Sequence, residues 1–165
     1  MEMEWNFIVR LCVAGLCGTI IGLDREYRVK DAGFRTHFLV ALGSALIMIV
    51  SQYGFEDFLA THDGLRLDPS RIAAQVVSGI SFIGLAVIYR NGSTLKGLTT
   101  AAGIWATAGI GLAIGAGMYP IGIATTIIII LMQTIMHKFN IGNDALATRD
   151  INITCLLYTS PSPRD

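Results

Sequence analysis

Asp24, Arg25 and Glu26 are three ionisable residues in a row, and they follow directly on Ile20-Ile21-Gly22-Leu23. Charges that enter an apolar boundary pair with one another, meet a partner on a neighbouring element or serve function. Arg28 and Lys30 stand four residues after Asp24 and Glu26. Such pairs stabilise a helix by roughly 0.2–0.5 kcal/mol each, so a solvated, salt-bridged helix end is one reading. The other is a polar cluster in which Asp24 and Glu26, on different faces, each meet a basic group on another helix. The two make a poor single-metal chelate. Gly33-Phe34-Arg35-Thr36-His37 comes next. Gly33 permits a tight turn, Thr36 can cap the helix that begins there, and His37 falls in its first turn. With no second His, Cys or carboxylate at ligand spacing, His37 reads as a hydrogen-bonding residue and no metal is assigned. Arg90, in a later basic loop, completes the candidate cluster.

A second polar set is Asp68, Arg71, Gln75 and Ser78, at steps of three, four and three. These steps put one polar stripe on a mostly apolar helix. Asp68-Pro69 reads as an N-cap followed by Pro at the first helical position. Gln75 lies about one turn inside the membrane, where an unpaired amide costs several kcal/mol. It must face protein or water, either as interhelical glue or as the lining of an outward-facing pocket. Thr99, Gly103, Thr107, Gly111 and Gly115 form a small-residue ridge on another run, and Gly18 and Gly22 a shorter one. Ridges of this kind let helices approach closely. No Walker sequence, His-x-x-x-His or nucleophile elbow is present, so the reading is non-enzymatic and without a cofactor.

Membrane helices must position these residues. The chain has 165 residues, is 53% hydrophobic and only 15% charged, against roughly 25% charged in soluble domains. Net charge is zero, which gives nucleic-acid binding no electrostatic support. Apolar runs are drawn at about 5–23, 36–53, 71–89, 98–117 and 121–137, with a break at Tyr119-Pro120. The fold class is an all-α bundle of about five transmembrane helices in a lipid bilayer. Arg25, Arg28, Lys30 and Arg35, then Arg90 and Lys96, then Lys138, fall on one side. Basic loops face the cytoplasm, so the N-terminus is placed outside and the C-terminus inside. Gly33-Phe34-Arg35-Thr36 and Gly97-Leu98-Thr99-Thr100 enter two such helices in the same direction, a weak parallel repeat. Residues 1–140 are read as the transmembrane domain and 141–165 as a cytoplasmic tail. Its last stretch, about 155–165, resembles translated adapter or vector sequence and carries no functional argument.

These residues resemble the MgtC/SapB family. Gly22-Leu-Asp-Arg-Glu26, Gly33-Phe-Arg-Thr-His37 and Gly43-Ser-Ala45 resemble its first motif. The segment from Asp68 to Ile80 with Phe82-Ile-Gly84 resembles the second, and Gly97-Leu-Thr-Thr-Ala-Ala102 with Trp105 the third. The likeness runs from about Leu11 to Gln133. Asp24 stands where a Glu is common, and Ser81 and Leu85 where smaller residues are familiar. The resemblance implies a bacterial inner-membrane protein linked to growth in low magnesium, acid stress and, in pathogens, survival inside host cells. It implies a regulator acting by membrane protein contacts, with the ATP synthase as one such partner. A homodimer is a further expectation. Some members add a soluble C-terminal domain, and this chain stops short of one. A magnesium or other ion or small-solute transporter component is the alternative reading.

Overall fold

An apolar run in hydrocarbon has no water to pair its backbone N–H and C=O groups, so it closes its hydrogen bonds within itself as a helix. The structure, a computed structural model, describes residues 2–61, 68–91 and 94–138. Helix α1 covers Glu2–Tyr27, α2 Phe34–Tyr53, α3 Glu56–Thr61, α4 Ser70–Val87, α5 Leu98–Gly115 and α6 Tyr119–Lys138. A small antiparallel hairpin, β1 Tyr89–Asn91 and β2 Thr94–Lys96, links α4 to α5. All helices but α3 are long and apolar enough to cross a membrane. The chain is therefore an all-α, multi-pass membrane bundle. The hairpin and α3 are too short to leave a periodic signal in the sequence. The tail from residue 139, and every reading made on it, lies outside the described residues.

The five spans alternate in direction, as side-chain contacts at their ends require. Arg25, near the end of α1, meets Thr100 at the start of α5. Arg10, near the start of α1, meets Gly115 at the end of α5. Ser51 near the end of α2 donates to the Pro69 carbonyl at the start of α4, and Tyr119 at the start of α6 donates to Asn6 of α1 at 3.2 Å. One end of the bundle thus gathers the α1–α2 loop, the hairpin and the last turn of α6, and is called the basic end here.

Small residues set how closely α2 packs between α1 and α5. A Cβ on Gly18 would lie 2.8 Å from the Ala41 Cβ, and one on Gly22 2.9 Å from the Gly33 carbonyl oxygen. On α5, a Cβ on Gly111 would lie 2.8 Å from the Ser44 Cβ and one on Gly115 2.6 Å from the Ala45 carbonyl oxygen. Thr107 is fully buried and bonds back to the Gly103 carbonyl at 2.8 Å. Ile21, Ala45, Ile110 and Ile114 fill the core beside this seam. Thr99 departs from the expected ridge: it is exposed, and its neighbour Thr100 is buried. Steps of four overrun a helix of 3.6 residues per turn, so a row starting at Gly115 rotates away from α2 before it reaches position 99.

Three helix starts also differ from the sequence reading. Gly33, not Thr36, is the N-cap of α2, and it has no side chain to cap with. Pro69 holds the N-cap position of α4, and Asp68 serves from one residue earlier, accepting the Ser70 N–H at 2.9 Å. The break before α6 falls at Gly117, where φ is 86°. Pro120 sits inside the first turn of α6, where a missing N–H costs nothing. The parallel repeat is visible as geometry. Gly33 and Gly97 each precede a helix that starts at the basic end, and each carbonyl accepts the N–H four residues on, from His37 at 3.3 Å and Ala101 at 2.9 Å. The two turns are not copies, since Gly97 has φ 87° and Gly33 has φ −95°.

Candidate functional site

Arg25 lies in the last turn of α1 and is only 3% exposed. Gly22, one turn earlier, lets α2 come close enough to cover it. Its Nη2 donates to the hydroxyl of Thr100, also buried, in the first turn of α5. Its Nε is buried without a partner among the described residues. A buried guanidinium between two helix N-termini is held against both helix dipoles. Asp24 and Asp31 are carboxylates whose charge favours it.

His37 is fully buried one turn into α2. Its Nδ1 donates to the Gly33 carbonyl oxygen at 3.0 Å. A carbonyl only accepts, so Nδ1 carries the proton and Nε2 presents a lone pair. That Nε2 is buried with no hydrogen-bond partner and faces Gly103, where an added Cβ would sit 3.7 Å away. Arg25, His37, Thr100 and Gly103 therefore form one buried group where α1, α2 and α5 meet.

The other charges of the stretch do different work. Asp24 and Arg28 form a bidentate ion pair, at 2.9 Å from Nε and 2.8 Å from Nη2. That bond holds the Arg28 guanidinium above its usual pKa. Arg28 also reaches Thr134 of α6 at 3.3 Å. A cleft of about 620 Å³ on this surface is lined by Leu23, Asp24, Tyr27 and Arg28. Glu26 crosses to α2 and accepts the Phe34 N–H at 3.1 Å. It supplies the cap that Gly33 cannot, and satisfies a donor at the end of α2. Arg35 is exposed and lies over the Phe34 ring at 5.8 Å. Thr36 is half-buried within α2, and Arg90 is exposed on β1. The expected cluster thus splits into a buried core, a surface ion pair, a cap, and exposed cations. Among the described residues no three His, Cys, Asp or Glu side chains gather as a metal-ligand set.

Arg71, Gln75 and Ser78 do share one side of α4, Asp68 lies two residues before the helix, and all four are exposed. Arg10 lies in the first half of α1. It faces the bundle: Nη1 donates to the Gly115 carbonyl at 2.9 Å and to the Tyr53 hydroxyl at 3.4 Å. Its guanidinium lies over the Phe7 and Tyr53 rings at 5.6 and 5.4 Å. A cation at the carbonyl end of a helix is favoured. Arg10 and Arg25 are fifteen residues apart on α1, and their targets Gly115 and Thr100 are fifteen apart on α5. The two arginines clamp α5 at both ends. Only that equal spacing could have signalled the clamp in the sequence.

Residues 11–141 match the model of the MgtC family. The chain belongs to the MgtC family. It is 50% identical over 136 residues to the "Putative magnesium transporter YhiD" of Escherichia coli K12, covering 82% of this chain and 63% of that protein. It is 45% identical over 118 residues to the uncharacterized protein slr0014 of Synechocystis, covering 71% and 47%. To protein MgtC of Salmonella typhimurium LT2 it is 40% identical over 136 residues, covering 82% and 54%. The chain spans about half to two-thirds of the length of these curated relatives. No solved structure matches it. The MgtC match reaches from the first helix to just past α6, so it takes in all three motif regions and both arginine contacts except the side of Arg10.

Proposed function

We propose that this MgtC-family chain is a non-enzymatic regulator of the bacterial inner membrane. It acts by contact with other membrane proteins during adaptation to low magnesium, acid stress and, in pathogens, life inside host cells. The basic end faces the cytoplasm. One observation carries this reading. The turn that ends α1 has Lys30 N–H bonded to the Arg25 carbonyl at 3.2 Å and Val29 N–H to the Glu26 carbonyl at 2.9 Å. This is a Schellman ending, whose left-handed position normally takes Gly. Here Val29 occupies it at φ 52°. A β-branched residue in that conformation is strained, and strain of this kind gathers at functional sites. Val29 is 92% exposed and Tyr27 94%, so neither side chain is kept for packing within the chain. Together with Lys30 and Arg35 they present an apolar and basic surface on a rigid turn.

The buried group supports the same reading. Arg25 ties α1 to α5, His37 bonds the start of its own helix, and the described hydroxyls of Thr19, Thr107, Thr125 and Thr126 bond back to carbonyls four residues earlier. The family resemblance makes the membrane ATP synthase a candidate partner. The test is photo-crosslinking from a reactive amino acid at position 27, in membranes of cells grown at low magnesium. A discrete crosslinked membrane protein is the expected result; no product above that from an exposed α6 position such as Ile128 would contradict it.

The name of YhiD carries the second reading, a magnesium transporter component. Gln75 is the polar group it would use within the membrane. Gln75 faces away from the bundle, so a path through one copy lacks it. Magnesium influx into proteoliposomes that falls in Gln75→Leu would favour this second reading.

A further inference from the structure

Helix α4 has two faces of opposite character. Ala73, Val76, Ile80 and Gly84 are buried against the bundle. Asp68, Arg71, Gln75, Ser78 and Phe82 are exposed. At 3.6 residues per turn the two sets fall on opposite sides of the helix. Since α4 is a membrane span, the outward side of a lone copy meets hydrocarbon. Gln75 is five residues past Ser70, the first residue of α4, which is about 7.5 Å along the axis. Its amide makes no side-chain hydrogen bond among the described residues. Lipid tails offer no donor or acceptor, and such a group left bare costs several kcal/mol.

Whatever covers this face must supply a donor and an acceptor at one depth. It must also fit small side chains just below, and both signs of charge just above. A second copy related by a twofold axis along the membrane normal meets every condition. The axis sets Gln75 opposite Gln75 at equal depth, and a primary amide both donates and accepts. The axis sets Asp68 at the depth of Asp68 and Arg71 at the depth of Arg71, and the three residues between them are a step that the long arginine stem can span to the Asp68 of the other copy. Gly79 has nothing within 4 Å of an added Cβ, which leaves room for a helix at close range. Phe82, 80% exposed, closes the inner end. We propose that the outward face of α4 is the interface of a homodimer, with the paired Gln75 amides at its centre. This interface is remote from Val29 and stands whether or not that turn docks a partner.

The test replaces the three native cysteines and introduces Gln75→Cys or Ser78→Cys into the full chain. Mild oxidation in native membranes, followed by intact-mass measurement, should give a species of twice the protomer mass for both. Ile127→Cys, exposed on α6, should give none. A Ser78→Cys protein, which keeps Gln75, overturns the proposal if it stays monomeric, and so does a crosslinked mass that is not twice the protomer. Replacing buried Cys17 could impair folding, so a second measurement keeps all cysteines. In native mass spectrometry from lipid discs, Gln75→Leu should lower the dimer-to-monomer ratio by roughly three- to thirty-fold, and Gln75→Asn by less. An unchanged ratio in Gln75→Leu overturns the proposal.

Discussion

Arg25 brings a charge into the junction of three helices and spends it on one hydroxyl. Replacing Thr100 by Val keeps the shape and removes that acceptor. The expected cost is about 1–3 kcal/mol, the penalty of a buried donor left unpaired. Arg25→Met in the same chain should recover part of it, because the unpaired charge is then gone. Unfolding of the single and double variants in mixed micelles checks the coupling. Asp68 provides a pH test. The Ser70 hydroxyl, at 2.7 Å, and then its N–H hold the carboxyl below its usual range. The folded form is thus favoured above the ordinary Asp range, near about pH 4, and this is lost as pH falls through the lower folded value. Protection against hydrogen exchange in the first turn of α4, taken relative to the intrinsic rate, should fall on that acid limb, and Asp68→Asn should abolish the dependence. At this scale the sequence showed which side chains were unusual but not whom they meet. Glu26 was legible as a charge at a helix end; that it caps α2 depends on a neighbour eight residues on. Arg10 finds Gly115 across 105 residues, and no local pattern encodes that.

The helices themselves were legible because hydrocarbon allows few alternatives. Their ends were less so, since caps supplied from another helix leave no local signature. The ridge on α5 shows both sides. Small residues marked the seam, but a period of four named Thr99 where the helix turns Thr100 inward. Two glycines on α5 separate packing from propensity. Gly115→Val would drive a side chain into the Ala45 carbonyl and should destabilise by roughly 1–3 kcal/mol. Gly109 has nothing within 4 Å of an added Cβ, so Gly109→Ala should be neutral or stabilise by up to ~1 kcal/mol. Thermal unfolding of the two proteins at equal lipid content checks the contrast.

At the scale of the molecule, α1, α2 and α5 form a clamped centre, with α4 and α6 laid outside it. The centre buries its polar groups, and Arg25 Nε and His37 Nε2 are left without a partner among the described residues. The surfaces left over are the strained turn after α1 and the polar face of α4, one at each end of the membrane thickness. Val29 is the residue through which contact and stability can be told apart. Val29→Gly relieves the left-handed strain and should stabilise the fold by ~1 kcal/mol, while removing the apolar side chain offered to a partner. The direct measurement is growth at low magnesium of a strain lacking this gene, restored by wild type or by Val29→Gly at matched membrane levels. A variant that unfolds at higher temperature yet fails to restore growth is the predicted result. Full restoration by Val29→Gly would contradict a function exerted through that turn.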